Sequence, residues 1–134
     1  MGGPVSRSSS VRSYRDLLVW QRSLDLATRV YAVTDLFPRC EVYGLAVQMR
    51  RAAVSIPSNI AEGHGRHHLG DYLRHLSIAN GSLMELETQV MIASRREYFT
   101  PDVEQSLLDS SAEIGRMLAG LTRSLSRRRQ LPDT

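Results

Sequence analysis

Apolar side chains along this chain recur every three to four residues, which is the period of an α-helix. The pattern predicts four helices, over residues 16–36, 42–63, 71–96 and 100–126. No apolar alternation with a period of two extends over any length, so strands are not expected. Because the connections between consecutive helices are short, we predict an all-α fold: an antiparallel up-down-up-down four-helix bundle over residues 14–126.

Local residue choices support the predicted helix ends. Asp16 suits the N-cap of the first helix, and Gly63 and Gly65 suit left-handed cap positions after the second. The fourth helix opens with the sequence Thr100-Pro101-Asp102. This sequence supplies a capping hydroxyl, a proline at the first helical position and an acid facing the helix dipole.

The second predicted helix is more apolar than a surface helix needs to be. Its apolar residues fill a continuous arc of roughly 220° on a helical wheel, whereas one face of about 100° is enough to pack on a core. The excess apolar surface predicts that a second copy of the chain or a partner covers it. Pro57 lies inside this helix, and its missing N–H and bulky ring predict a kink.

Polar residues inside the apolar arcs predict a buried charge pair. Glu87 lies in the apolar arc of the third helix, one heptad after Asn80, and Arg50 interrupts the arc of the second. Counting back from the connecting loop places Arg50 within one turn of Glu87. We therefore predict a largely buried Arg50–Glu87 pair, with Arg51 as the alternative partner and Asn80 nearby. Such a pair either recognises a ligand or, as we favour, fixes helix register and subunit geometry.

The charge of the chain is concentrated at its ends. All 17 basic residues are arginines. Residues 1–13, rich in glycine and serine, and residues 127–134 are predicted to be disordered. The parts before Asp16 and after Ser126 together carry six arginines and one aspartate, whereas the stretch between them has 11 arginines and 13 acids. Cationic ends can hold a polyanion, although they can also serve solubility alone. The candidate nucleic-acid contacts are Arg7, Arg12, Arg15, Arg127, Arg128 and Arg129.

The remaining composition indicates a cytoplasmic protein without a membrane partner. The longest apolar run is Leu17 to Trp20, far short of a membrane span, and no secretion leader is recognised. Cys40 is the single cysteine, which excludes an internal disulfide and suits a reducing compartment.

One alternative hypothesis is a small metal-binding bundle. His64 and His67 lie in the loop after the second helix, Asp71 and His75 stand four residues apart at the start of the third, and Cys40 is a further candidate. Histidine, carboxylate and thiolate groups are the ligands that transition metals prefer. The chain lacks the second set of ligands that di-metal bundles use. No catalytic residue and no cofactor is predicted.

Three stretches of the chain carry a family resemblance: DLLVWQRSLDLATRVY, YGLAVQMRRAAVSIPSNIAEGHGR and LSIANGSLMELETQ. With them the chain resembles small bacterial four-helix-bundle proteins encoded in intervening sequences of 23S ribosomal RNA genes, relatives of which serve diversity-generating retroelements as accessory proteins. The most specific part is SIPSNIAEG, and its motif residues are Ser55, Pro57, Ser58, Asn59, Glu62 and Gly63.

The resemblance implies a homo-oligomeric bundle, a pentameric ring, without a known enzymatic activity. It also implies a role in binding RNA or a reverse transcriptase. Here the chain departs from the family pattern, because HHLGD replaces a more basic stretch before the third helix and lysines are absent. The expected function is thus a non-catalytic, self-assembling scaffold that binds RNA or a reverse transcriptase weakly through a basic surface and its tails.

Overall fold

Four α-helices and two short 3-10 helices make up the computed structural model, which describes residues 11–130. In chain order the elements are a 3-10 helix Tyr14–Asp16, α1 Leu18–Thr34, a 3-10 helix Arg39–Glu41, α2 Leu45–His64, α3 Leu69–Arg95 and α4 Pro101–Gln130. No strand occurs between residues 11 and 130. The all-α prediction is confirmed.

The helices pack as an antiparallel bundle around one apolar core. α2 packs against α1 on one side and α3 on the other, and α4 packs against α3 and α1. Contacts at the two ends reveal the helix directions. The Tyr98 hydroxyl, after α3, donates to Glu41, before α2, at 2.7 Å. At the opposite end the guanidinium of Arg129 lies against Gly70 at the start of α3. The predicted up-down-up-down arrangement is confirmed.

The start of α1 differs from the prediction. Asp16 is not its N-cap, because the Asp16 carboxylate accepts the backbone N–H of Arg12 at 2.8 Å and closes a capping box with Ser13. That box caps the 3-10 helix, and α1 begins two residues after Asp16, at Leu18. At α4 the prediction is correct: Pro101 is the first helical residue, and the Thr100 hydroxyl accepts the N–H of Val103.

α2 continues without interruption through Pro57, which is buried. Proline has no N–H to give to the carbonyl of Ala53, one turn earlier. Two residues after the proline, the Asn59 side chain donates to the carbonyl of Ser55 at 2.9 Å, adding a bond to the helix at this point. The kink at Pro57 remains a prediction.

Gly63 has a different role from the predicted one. α2 ends at His64, and its C-cap Gly65 is right-handed, with φ −82°. Gly63 is buried inside the last turn, and a Cβ built on it would lie 2.8 Å from the Cβ of His75 and 2.9 Å from Cδ1 of Tyr72. The glycine is therefore required for close packing of α2 on α3, and not for a left-handed backbone.

α4 extends beyond the predicted end of the bundle. It reaches Gln130, so Arg127, Arg128 and Arg129 occupy its last turns and do not belong to a disordered tail. Arginine has a high helix propensity, and its positive charge is favourable near a helix C-terminus, which explains why the helix continues. The disorder predicted for residues 1–10 and 131–134, and the contact predicted for Arg7, lie outside the described residues.

Candidate functional site

A chain of polar side chains joins α2 to α3 along the family-like motif. The hydroxyls of Ser55 and Ser82 lie 2.8 Å apart, and Asn59 Nδ2 donates to Ser55 Oγ at 3.0 Å. His75 Nδ1 lies 2.9 Å from Asn59 Oδ1. Because these bonds pair specific positions on two helices, they fix the register of α3 on α2.

His75 is the most buried member of this chain, with 4% of its surface exposed. Asn59 uses its amide N–H groups on Ser55, so its oxygen is the acceptor and His75 Nδ1 carries the hydrogen. The Glu62 carboxylate lies 3.7 Å from the same nitrogen. His75 Nε2 has no hydrogen-bond partner among residues 11–130. Sequence analysis missed the Asn59–His75 contact, because these residues lie on different helices and no pattern links them.

The prediction of an Arg50–Glu87 pair is wrong. Arg50 turns toward α1, where its Nε donates to the Thr34 hydroxyl and its Nη2 donates to Asp35, both at 2.7 Å. The guanidinium also lies 4.8 Å from the centre of the Tyr31 ring, a cation–π distance. Arg50 interrupts the apolar arc of α2 because this part of the arc meets the polar C-terminal end of α1.

Glu87 turns toward α4, which explains why it does not contact Arg50, its predicted partner. It is half-buried and accepts a hydrogen bond from the buried hydroxyl of Ser111. Ser94, one heptad further on, donates to Glu104 of α4 at 2.8 Å. The polar residues that recur every seven positions on α3 therefore border α4, on the side away from α2. Asn80 and Arg51 are both exposed and belong to no buried pair.

The residues of the metal hypothesis are not brought together. Between residues 11 and 130 no group of three or more histidine, cysteine, aspartate or glutamate side chains is placed to hold a metal ion. His75 is turned toward Asn59, while His67 is exposed in the loop. Cys40 is exposed in the α1–α2 connection, at the end of the bundle opposite the histidines. The metal hypothesis therefore loses its geometric basis in this part of the chain.

The arginine-rich parts of the chain converge at one end of the bundle. In the antiparallel arrangement the start of α1, the α2–α3 loop and the end of α4 share this end. A cavity of about 300 Å³ opens there between the loop and α4. Its lining residues are His64, Arg66, His67, Leu69, Tyr72, Leu125 and Arg128. We call this the cationic cavity.

The cationic cavity has an apolar floor and a positively charged rim. Leu125 is buried, and Tyr72 is half-buried with the His64 ring packed edge-on at 5.9 Å. Burial raises the pKa of the Tyr72 hydroxyl above its ordinary value, and the positive charge of Arg128 partly opposes that shift. Arg66 and Arg128 are exposed, and neither forms a salt bridge within residues 11–130.

A second surface feature is an apolar groove along α1 and α2. Leu24, Tyr31 and Val54 are 43%, 45% and 41% exposed, and Val54 lies beside both of the others, so that they form one continuous apolar patch. They line two shallow depressions that run along the outer side of the two helices. We call this surface the α1–α2 face. The apolar arc predicted from the sequence is thus only partly covered by α1 and α3.

Comparison with known proteins identifies the family. Residues 15–120 match the family described as 23S rRNA-intervening sequence protein. The chain belongs to this family. The match covers all of α1, α2 and α3 and most of α4, including the polar chain between α2 and α3. No curated protein matches the chain significantly.

A solved structure supports the same assignment. It is the crystal structure of a protein with unknown function from the S23 ribosomal protein family of Bacteroides thetaiotaomicron, similar to this chain with a TM-score of 0.74 and 26% sequence identity. The alignment covers 79% of this chain and 96% of that one. Within residues 11–130, moreover, no helix has the length and apolar character needed to cross a membrane.

Proposed function

We propose that this protein is a non-catalytic, self-assembling helical scaffold of the bacterial cytoplasm that binds RNA weakly through its arginine-rich end. The observation that carries the proposal is the convergence of the segment before α1, the α2–α3 loop and the end of α4. Arg12 and Arg15 precede α1, Arg66 lies in the loop, and Arg127–Arg129 end α4. Together they form a concentrated positive surface on a bundle whose remainder is slightly acidic.

Self-assembly is supported by the α1–α2 face. A monomer that left this groove in water would expose contiguous apolar surface of the kind that marks protein interfaces. A closed ring of identical copies would cover it by heterologous contacts, and the family resemblance favours a pentamer. In such a ring five arginine-rich ends would add their charges, which strengthens attraction to a polyanion.

Light scattering at micromolar concentration tests self-assembly. Wild type is expected to have the mass of a pentamer, and Val54→Glu is expected to dissociate it because a carboxylate would be buried in the interface. Met84→Glu is the matched control, since Met84 is equally exposed but lies on α3, away from the α1–α2 face. A wild-type monomer would contradict the proposal.

RNA binding is tested by gel shift and by its salt dependence. Binding should be insensitive to sequence and should weaken as salt rises, because it depends on counterion release from phosphates. Replacing the three arginines in the last turns of α4 with glutamine should weaken it more than the same change at three exposed arginines away from this end of the bundle. The two sets are Arg127, Arg128, Arg129 and Arg39, Arg95, Arg116. If wild type retains a purified reverse transcriptase and no RNA at low salt, the partner is a protein and the RNA proposal is wrong.

A further inference from the structure

The cationic cavity is formed by several elements of the fold that pack closely together. Its floor and walls come from α2, the α2–α3 loop, the start of α3 and the end of α4. Gly63 permits the close contact with Tyr72, and Gly70 permits the Arg129 guanidinium to approach the first turn of α3, with Nη2 3.3 Å from the position of a Cβ. The last turns of α4 therefore lie close to the start of α3, and Arg128 lines the cavity.

The permanent charges in the lining of the cavity are of one sign. Arg66 and Arg128 are its charged side chains, and no carboxylate lines it. Glu62 contacts His75 and Asp71 lies in the first turn of α3, so the acids closest in sequence lie outside the lining. Arginine presents a planar fork of N–H donors that fits the oxygens of a phosphate group.

Backbone N–H groups at the start of α3 add to the donors that can bind a phosphate group. α3 is 27 residues long, and its N-cap His68 makes no side-chain hydrogen bond to the first turn. The N–H groups of Asp71 and Tyr72 donate to the carbonyl of His68, whereas those of Leu69 and Gly70 have no acceptor within residues 11–130. These two free N–H groups, together with the helix dipole, favour an anion. Leu69, the first residue of α3, lines the cavity, so these donors lie beside the arginine rim.

We propose that the cationic cavity is a phosphate-binding site, and that in the RNA complex it holds a phosphodiester group of the strand; this second part rests on the proposed function. A volume of about 300 Å³ lies at the lower limit of ligand pockets, roughly 300–1,000 Å³, and accommodates a phosphate group with its sugar. The Tyr72 ring and the two leucines provide an apolar surface for that sugar. Arg12, Arg15 and Arg127 lie at the same end and can follow the strand beyond the cavity.

Titration of the full-length protein with inorganic phosphate, followed by amide shifts in a nitrogen-15 correlation spectrum, tests the site. The shifts should concentrate at residues 64–72 and 125–129 and should be small in the Arg66→Gln/Arg128→Gln variant. The matched control, Arg39→Gln/Arg116→Gln, removes two exposed arginines from other surfaces and should respond as wild type does. Shifts that are absent, spread over the whole surface or equally large with acetate would overturn the phosphate site.

Fluorescence polarisation with a labelled single-stranded RNA tests the second part. Removal of two charge-assisted hydrogen bonds should weaken binding about tenfold or more in the cavity variant and much less in the control. The slope of log K against log salt should fall by about 0.7 for each phosphate group that an arginine no longer neutralises. Equal weakening in both variants would overturn the cavity as the RNA site and leave the proposed function standing. Phosphate binding in the cavity without any RNA binding by wild type would overturn the proposed function and retain the phosphate site.

Discussion

Gly63 and His75 are in such close contact that only a hydrogen atom fits between the backbone of α2 and the imidazole-bearing side chain of α3. A Cβ on Gly63 would lie 2.8 Å from the Cβ of His75, closer than side chains pack in proteins. The contact lies directly beside the Asn59–His75 hydrogen bond of 2.9 Å. The glycine and the polar chain of the motif therefore serve one purpose: they fix how the end of α2 meets the start of α3.

Gly63→Ala should accordingly destabilise the protein. Overpacking of a well-filled interface costs about 1–3 kcal/mol, and the contacts of 2.8 and 2.9 Å place this site in the upper part of that range, at about 2–3 kcal/mol. The higher helix propensity of alanine offsets about 1 kcal/mol of this cost. We expect a net loss of about 1–2 kcal/mol in the free energy of unfolding, measured by urea denaturation. Gly65→Ala is the control, because its nearest neighbours are 3.7 Å from the new Cβ and its backbone is right-handed. A Gly63→Ala variant as stable as wild type would contradict the packing role.

The sequence was sufficient to predict the helices because each apolar stripe repeats over many turns. The pattern for α4 even located its first residue, since Thr100 and Pro101 are strong local signals. By contrast, the partners of Arg50 and Glu87 could not be read from periodicity. A wheel shows that a polar residue lies beside an apolar arc, but which neighbouring helix faces it depends on how the helices rotate during packing. Arg50 meets α1 and Glu87 meets α4 for that reason.

The cationic cavity could not be predicted from the sequence, for a similar reason. Its histidines, Arg66 and Arg128 are visible in the sequence, but the sequence pattern placed Arg128 in a disordered tail. Only the extension of α4 to Gln130 brings that arginine over the α2–α3 loop. A helix that lacks apolar residues at its end gives no periodic signal, so its true end is easily set too early.

A double-mutant cycle should separate the observed partner of Arg50 from the one predicted from the sequence. Arg50 and Asp35 are in direct contact at 2.7 Å, but the Asp35 side chain is 72% exposed, so water weakens the interaction. We expect an interaction free energy of about 0.5–1 kcal/mol from urea denaturation of the Ala variants. The Arg50–Glu87 cycle is the control and should give less than about 0.3 kcal/mol. A larger value for the control pair would favour the partner predicted from the sequence.

The turn between α3 and α4 contains the one positive φ found at a non-glycine residue within residues 11–130. Glu97 has φ 61°, and the N–H of Tyr98 donates to the carbonyl of Ala93, as in a Schellman motif. An L-residue pays about 1–2 kcal/mol for this left-handed conformation, which glycine adopts freely. Glu97→Gly should therefore stabilise the fold by about 1 kcal/mol, measured by urea denaturation. Arg96→Gly, at the right-handed residue before it, is the control and should not stabilise.

The last prediction concerns acid stability and Glu41. Its carboxylate accepts the N–H of Leu45 at the start of α2 at 2.9 Å and the hydroxyl of Tyr98 at 2.7 Å. These two hydrogen bonds, the first being the larger effect, hold the pKa of Glu41 below its ordinary value. A carboxyl whose pKa is lower in the folded state stabilises the fold above the unfolded-state pKa, and this contribution disappears as the pH falls through the folded-state pKa.

Glu41→Gln should therefore lower the melting temperature at pH 7, and the difference from wild type should shrink as the pH falls from about 5 to about 3. Glu97→Gln is the matched control: it lies in the neighbouring turn, and its carboxylate makes no hydrogen bond or salt bridge within residues 11–130. Its melting temperature should differ from wild type by a small amount that does not depend on pH in this way. A constant difference for Glu41→Gln across the whole range would show that the ionised carboxylate does not cap α2, and that the contact stabilises the end of the bundle only through its shape.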